Sequence, residues 1–152
     1  MQLASLCANS EHCQYEMLEK MRKWGLDDEE QARIMQRLVS ERYVDDRRYA
    51  RAFALDKIRY NKWGRRKVEQ ALWLKRIDKE IQQEVLDEID ETEYLQVLAP
   101  LIKSKQQSLG DCSIYENKCK LIRFALSRGF SMKQIGLCIE DADETGICDE
   151  EE

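Results

Sequence analysis

Two adjacent carboxylates, Asp45 and Asp46, stand at the head of the stretch "YVDDRRYARAFALDKIRYNKWGRR" over residues 43–66. Paired carboxylates can perform general acid–base chemistry when their surroundings separate their pKa values. A helix start accounts for this pair better. An aspartate N-cap accepts hydrogen bonds from orphan backbone N–H groups and suits the positive helix end, a contribution of about 1 kcal/mol. His12 beside Cys13 carries metal-ligand types, but it is the one histidine of the chain, and the expectation is a solvated helix position. Cys7, Cys13, Cys112, Cys119, Cys138 and Cys148 contain no C-x-x-C pair and no ligand spacing. They read as reduced, small apolar side chains of a cytosolic protein. No Gly-rich phosphate loop and no Ser/His or Cys/His arrangement stands out. The expectation is a non-enzyme without cofactor or metal.

What remains is cationic chemistry. Arg47, Arg48, Arg51, Lys57, Arg59, Lys62, Arg65, Arg66 and Lys67 follow the aspartates. About half of them are expected to solvate a helix face or pair with acids of the same chain, Arg51 among them. The segment "NKWGRRK" (61–67) is different. Lys62, Arg65, Arg66 and Lys67 flank Trp63 and Gly64 at a helix junction, where side chains and backbone N–H groups can converge on an anion. Arginine suits bidentate phosphate or carboxylate recognition. Lys118, Lys120, Arg123, Arg128 and Lys133 extend the set further along the chain. Trp63 reads as a packing anchor in preference to a base-stacking ring.

Charge falls in blocks. Residues 1–41 carry −3, 42–76 carry +8, 77–99 carry −7, 100–139 carry +5 and 140–152 carry −8, giving the net −5. Local charge therefore says more about partners than the acidic pI of about 5.2.

The elements that must hold these residues are helices. One proline and six glycines in 152 residues leave little turn material for strands, and long Leu/Ile/Met/Glu/Gln/Lys/Arg stretches favour helix. No apolar run approaches the roughly 20 residues of a membrane span, and the N-terminus lacks the pattern of a signal peptide. Behind Asp45 and Asp46, the residues Tyr49, Ala50, Phe53, Ala54 and Ile58 form one apolar stripe, predicting a helix over roughly 46–61 that Gly64 ends.

The chain also repeats. Slid by 51 and then 53 residues, "MLEKMRKWGLDDEEQARIMQRL" (17–38), "VEQALWLKRIDKEIQQEVLDEI" (68–89) and "LIRFALSRGFSMKQIGLCIE" (121–140) superpose. Met17, Val68 and Leu121 coincide, as do Met21, Leu72 and Ala125, then Leu26, Ile77 and Phe130. Asp27, Asp78 and Ser131 follow as N-caps, and Met35, Leu86 and Ile139 close the match. A further helix precedes each pair: "LASLCAN" in the first, the stretch from Asp46 in the second, and "TEYLQVLAPLIKSKQQS" in the third, where Pro100 is expected to kink or restart the helix. Short helices barely bury their own apolar faces, so neighbours must stack. The expected fold is all-α, an elongated array of three tandem three-helix repeats over residues 1–43, 44–90 and 91–142. An acidic tail over 143–152 is expected to be disordered, and the stack favours a monomer.

The order and spacing of these residues resemble the RecX family. Leu38, Tyr43, Asp45, Asp46, Tyr49, Ala50, Arg65, Arg66 and Ile77 match its "Y-[LV]-D-D" opening and basic lead into a "L-x-x-K-x-I" turn. Lys120, Arg123, Phe124, Arg128, Gly129, Phe130 and Ile135 match its closing element. Arg76 stands where the family turn often has glycine, so a different cap is expected there. The resemblance covers about residues 15–140. It implies a small cytoplasmic protein that binds RecA, lodges in the groove of the RecA–single-stranded-DNA filament and restrains ATPase, strand-exchange and coprotease activities. Homologous recombination, DNA repair and the SOS response would be its setting. The expected RecA/DNA-binding residues are Arg48, Arg51, Arg59, Lys62, Arg65, Arg66, Lys67, Lys118, Lys120, Arg123 and Arg128, with weak direct DNA binding alongside. Two rival readings are a direct nucleic-acid-binding helical protein and a helical-repeat scaffold for another partner.

Overall fold

A computed structural model describes Leu3 and residues 10–110 and 113–144, with side chains as far as Ile139. The described helices are α1 (Gln14–Lys23), α2 (Asp28–Ser40), α3 (Asp46–Arg59), α4 (Arg65–Leu74), α5 (Lys79–Glu88), α6 (Glu91–Ser108), α7 (Ile114–Ser127) and α8 (Met132–Glu144). Among the described residues there is no strand. The fold is all-α. Helices α3–α5 and α6–α8 form three-helix repeats, and α1–α2 are the closing pair of another. The expected opening helix of that first repeat lies, apart from the buried helical Leu3, outside the described residues. So does most of the acidic tail.

The repeat register reappears in the turns. Gly25, Arg76 and Gly129 all take left-handed backbone, with φ of 77°, 57° and 96°. At each, two bonds fold the chain back over the helix end: Gly25 N–H to Arg22 and Leu26 N–H to Met21, Arg76 N–H to Trp73 and Ile77 N–H to Leu72, Gly129 N–H to Leu126 and Phe130 N–H to Ala125. This is the Schellman pattern, with an apolar residue at the outer position packing back. The different cap expected at Arg76 does not occur. Arg76 adopts the glycine conformation, and its guanidinium lies 5.2 Å from the Tyr15 ring centroid.

Caps follow each turn. Asp27 accepts from Glu30 N–H and Ser131 accepts from Gln134 N–H, while Asp78 takes the longer 3.4 Å contact from Glu80 N–H. A buried glutamine then ties helix to turn: Gln31 donates to the Leu26 carbonyl and Gln82 to the Ile77 carbonyl, each at 2.8 Å. The third repeat has Ile135 at that register, and its buried Gln134 instead meets Ser131 N–H and Glu91.

Pro100 neither breaks nor restarts a helix. α6 runs unbroken through it for 18 residues. Pro100 and Gln96, whose carbonyl loses its donor, are both exposed, so water can satisfy the orphan oxygen.

The chain gathers into two compact units. The first comprises residues 1–55 and 70–88. Its core holds Leu3, Met17, Met21, Met35, Leu38 and Val44, with Leu18, Leu26 and Ile34 packed against them. The second comprises residues 56–69 and 89–152. Tyr94, Leu98 and Ile102 of α6 are buried, as are Leu121 and Ala125 of α7 and Ile135, Cys138 and Ile139 of α8. α6 packs on both α7 and α8. Loss of one such leucine side chain typically costs about 2–5 kcal/mol.

Candidate cationic junction

The aspartate pair is a double cap. Asp45 accepts from the N–H groups of Arg47 and Arg48 at 3.0 and 3.1 Å, starting α3. Asp46 turns to another helix and accepts from the Gln14 N–H at 2.9 Å, at the start of α1. Burial pushes the Asp46 carboxyl up, against the Gln14 N–H that favours its charge. Behind the caps Tyr49, Ala50, Ala54 and Ile58 are buried as the stripe requires.

Glu16 organises a second polar cluster in the first unit. Its carboxylate meets Lys75 Nζ at 3.0 Å, His12 Nδ1 at 3.1 Å and the Cys13 N–H at 3.3 Å. Burial alone would push this carboxyl up, yet Lys75, the Cys13 N–H and His12 together hold it below the ordinary value. Tyr49 is pushed well up, by burial and then by the Glu16 charge it hydrogen-bonds. Burial raises the Cys13 thiol to about 11. His12 is not a solvated helix residue. It lies just ahead of α1, and its Nε2 is 3.0 Å from Ser10 Oγ, so a Ser–His–carboxylate line exists that the sequence reading lacked. Its members lie within seven residues of the α1 start, and its carboxylate is committed to Lys75 and the helix cap, which makes it a tie between α1 and α4. Among the described residues no cluster of His, Cys, Asp or Glu is placed to hold a metal ion.

The basic residues separate into committed and open groups. In the first unit Arg48 bonds Glu11 through its guanidinium and also reaches the carbonyls of Arg42 and Tyr43. Arg51 meets Glu88 at 2.9 Å and Arg47 meets Glu84 at 2.6 Å. In the second unit Arg59 meets Glu93 at 2.9 Å and Arg65 meets Glu69 at 3.3 Å. The acidic block thus answers Arg47, Arg51 and Arg59 of α3, as expected for part of the set.

Lys62 and Arg66 are exposed and make no ion pair among the described residues. Trp63 is half-buried, with Lys67 Nζ 4.8 Å and Lys57 Nζ 5.3 Å from its ring centroid. It anchors two lysines. Beside them Tyr60 is 78% exposed. Arg128 joins this group through Nη1 to the Asn61 carbonyl at 3.3 Å. On α7, Lys118, Lys120 and Arg123 are exposed, and Lys133 on α8 likewise.

Two expectations for the junction are corrected. Gly64 is not the residue that turns the chain, because Lys62 takes the left-handed conformation at φ 59°. Gly64 is needed for close approach: its N–H donates to the Arg128 carbonyl at 2.7 Å, and the Arg66 N–H donates to the Gly129 carbonyl at 3.1 Å. Those two N–H groups at the head of α4 are therefore spent inside the protein, and anion recognition there falls to side chains.

Residues 45–86 match the family model "RecX, second three-helix domain". The Regulatory protein RecX of Chlorobaculum tepidum is 32% identical over 130 residues, covering 86% of this chain and 79% of that protein. The chain belongs to the RecX family. The namesake from Acinetobacter baylyi is 28% identical, covering 92% of this chain and 85% of its own. That of Lactobacillus johnsonii is 29% identical over 85% of this chain but 48% of its own, so the chain spans about half the length of some curated RecX relatives. The crystal structure of RecX from Lactobacillus salivarius shares the fold, with a TM-score of 0.84 at 18% identity over 94% of this chain and 96% of that one. These relatives are named regulatory proteins. No helix among the described residues is long and apolar enough to cross a membrane.

Proposed function

We propose that this RecX-family chain binds RecA or the RecA–single-stranded-DNA filament and inhibits its ATPase, recombinase and coprotease activities, in the cytoplasm and without catalysis of its own. The observation that supports it is the junction of Lys62, Arg66 and Lys67, cations gathered at one turn with no acidic partner among the described residues. A filament groove offers such a surface both DNA phosphates and acidic protein. The third repeat extends the contact through Lys118, Lys120, Arg123 and Arg128. Arg48, Arg51, Arg59 and Arg65 stay in the proposal as residues that would have to exchange an internal acid for the partner.

The test is RecA's single-stranded-DNA-dependent ATP hydrolysis, titrated with this protein. Inhibition well below one molecule per RecA subunit is expected. No effect at equimolar protein would discard the reading. The exposed Tyr60 beside Lys62 favours a second reading, a protein that binds nucleic acid directly. That reading requires affinity for single strands without RecA, falling with salt at a log–log slope of about −0.7 per phosphate neutralised.

A further inference from the structure

We propose that α7 pairs antiparallel with α7 of a second copy of this chain, through a seam of Tyr115, Cys119, Ile122 and Leu126. The seam lies wholly in the second unit, and self-association goes beyond the functional reading above.

α7 is apolar on two faces. Leu121 and Ala125 are buried in the core. Tyr115, Cys119, Ile122 and Leu126 follow one another at spacings of four, three and four, the alternation that keeps one stripe turned toward a partner helix. The unit itself does not cover this stripe. Tyr115 is 75% and Leu126 42% exposed, and Cys119 and Ile122 between them are half-buried. Nor does the repeat require an apolar stripe there. The same register holds Glu11, Tyr15, Leu18 and Arg22 in the first repeat and Lys62, Arg66, Glu69 and Trp73 in the second. Of the three repeats, the third alone is apolar at all four positions. An uncovered apolar row of this kind marks a docking surface.

Charge selects the occupant. Glu116 and Arg123 directly follow the seam residues Tyr115 and Ile122, so they line the same edge two turns apart. Both are exposed, and neither makes an ion pair among the described residues. Antiparallel pairing sets Tyr115 across from Leu126 of the second copy, and Cys119 across from Ile122. It also brings Glu116 alongside Arg123 of the second copy, and a two-fold axis makes that contact twice. Parallel pairing would instead set Lys118 beside Arg123, like charge on like. The face is self-complementary in apolar pattern and in charge, as an isologous dimer requires. Three helical turns make a small interface, under about 1,200 Å². The expected dimer is therefore weak and reversible, half-formed on the order of 50 µM. Arg123 also stands in the functional reading, so the pair would open before a filament takes that residue.

The experiment is sedimentation velocity of the full chain alone, from about 5 µM to about 1 mM. A dimer that grows with concentration is expected. Tyr115→Ser with Leu126→Gln, both at exposed positions, should raise the dissociation constant roughly tenfold or more. Glu116→Lys alone and Arg123→Glu alone should each raise it about three- to tenfold, and the two combined in one chain should restore it. A chain that stays monomeric at the highest concentration overturns the proposal and leaves the seam to a different protein. A dimer indifferent to the Tyr115 and Leu126 changes overturns it as well. Failure of the combined charge reversal to recover the dimer would overturn the antiparallel pairing. Circular dichroism of each variant verifies that the helices persist. No RecA is present, so failure here is distinguishable from failure of the ATPase titration.

Discussion

Gly64 and Gly129 meet backbone to backbone. A Cβ on Gly64 would stand 2.4 Å from the Gly129 carbonyl carbon, and a Cβ on Gly129 would stand 2.5 Å from the Lys67 amide nitrogen. Both clashes are with main chain, which has no rotamer to change. The contact joins the cationic junction to the α7–α8 turn, placing Lys62, Arg66 and Arg128 in one unit.

Gly64→Ala should therefore destabilise the protein by about 3 kcal/mol, the upper range for overpacking a fixed site. Gly110, with nothing within 4 Å of a Cβ and no left-handed φ, should accept alanine within about 0.5 kcal/mol. Urea unfolding of the two variants checks the contrast. Equal stability would mean that the junction relaxes freely.

The three left-handed turns predict a different pattern. Gly25 has open space but a φ of +77°, so Gly25→Ala should cost about 1–2 kcal/mol through backbone strain alone. Arg76 already bears that strain. Arg76→Gly should relieve it while losing the Tyr15 stacking and adding unfolded-state freedom, leaving stability within about 1 kcal/mol of the parent. Arg76→Val, β-branched at φ 57°, should cost about 2 kcal/mol, well outside that margin. Thermal or urea unfolding distinguishes these three outcomes.

Glu16 should make stability depend on acid. Its folded pKa lies below the usual 4.5, so its contribution is present above the unfolded pKa and is lost as pH falls through the folded one. Asp46 has the opposite sign: its pKa is raised from 3.8, so it favours the fold more when protonated. Glu16→Gln should lower stability by roughly 1–2 kcal/mol at neutral pH and by much less in acid, once the pH has fallen through the lowered folded pKa. Unfolding curves at the two pH values test this. A pH-independent loss would show that packing, and not charge, is what Glu16 contributes.

Much of this fold is legible before any coordinates. Periodicity locates the helices, because the buried stripe of Tyr49, Ala50, Ala54 and Ile58 and the aligned Met21, Leu72 and Ala125 follow directly from helical geometry. The repeat offsets of 51 and 53 even align Gly25, Arg76 and Gly129, although a residue rule that reserves left-handed turns for glycine hides the second. Long-range pairing is what the sequence conceals. Nothing local says that Asp46 caps α1, that Glu16 reaches Lys75 across 59 positions, or that Gly64 exists for Gly129. The glutamine ties at Gln31 and Gln82 carry a signal at the 51-residue spacing, which apolar periodicity passes over because glutamine is mostly an exposed residue. For the cations, a charge count could not separate Arg48, spent on Glu11, from Lys62 and Arg66, which remain open.

That separation yields the sharpest functional prediction. If the open cations grip the partner, Lys62→Ala, Arg66→Ala and Lys67→Ala together should weaken inhibition of RecA ATPase about tenfold, near 1.4 kcal/mol. Lys67 also covers Trp63, so its removal tests grip and support at once, and Lys62→Ala with Arg66→Ala isolates the grip. Neither side chain makes an ion pair among the described residues, so the pair should leave unfolding unchanged within about 0.5 kcal/mol. Arg48→Ala should do the reverse. It frees Glu11 and two turn carbonyls, costs about 1 kcal/mol of stability, and weakens inhibition per folded molecule by much less than loss of the open pair, because its contact with the partner must first displace Glu11. Inhibition curves paired with urea midpoints for the two variants decide the matter. If Arg48→Ala abolishes inhibition while Lys62→Ala with Arg66→Ala does not, the partner grips the α3 arginines after displacing their acids, and the junction serves only to hold the turn.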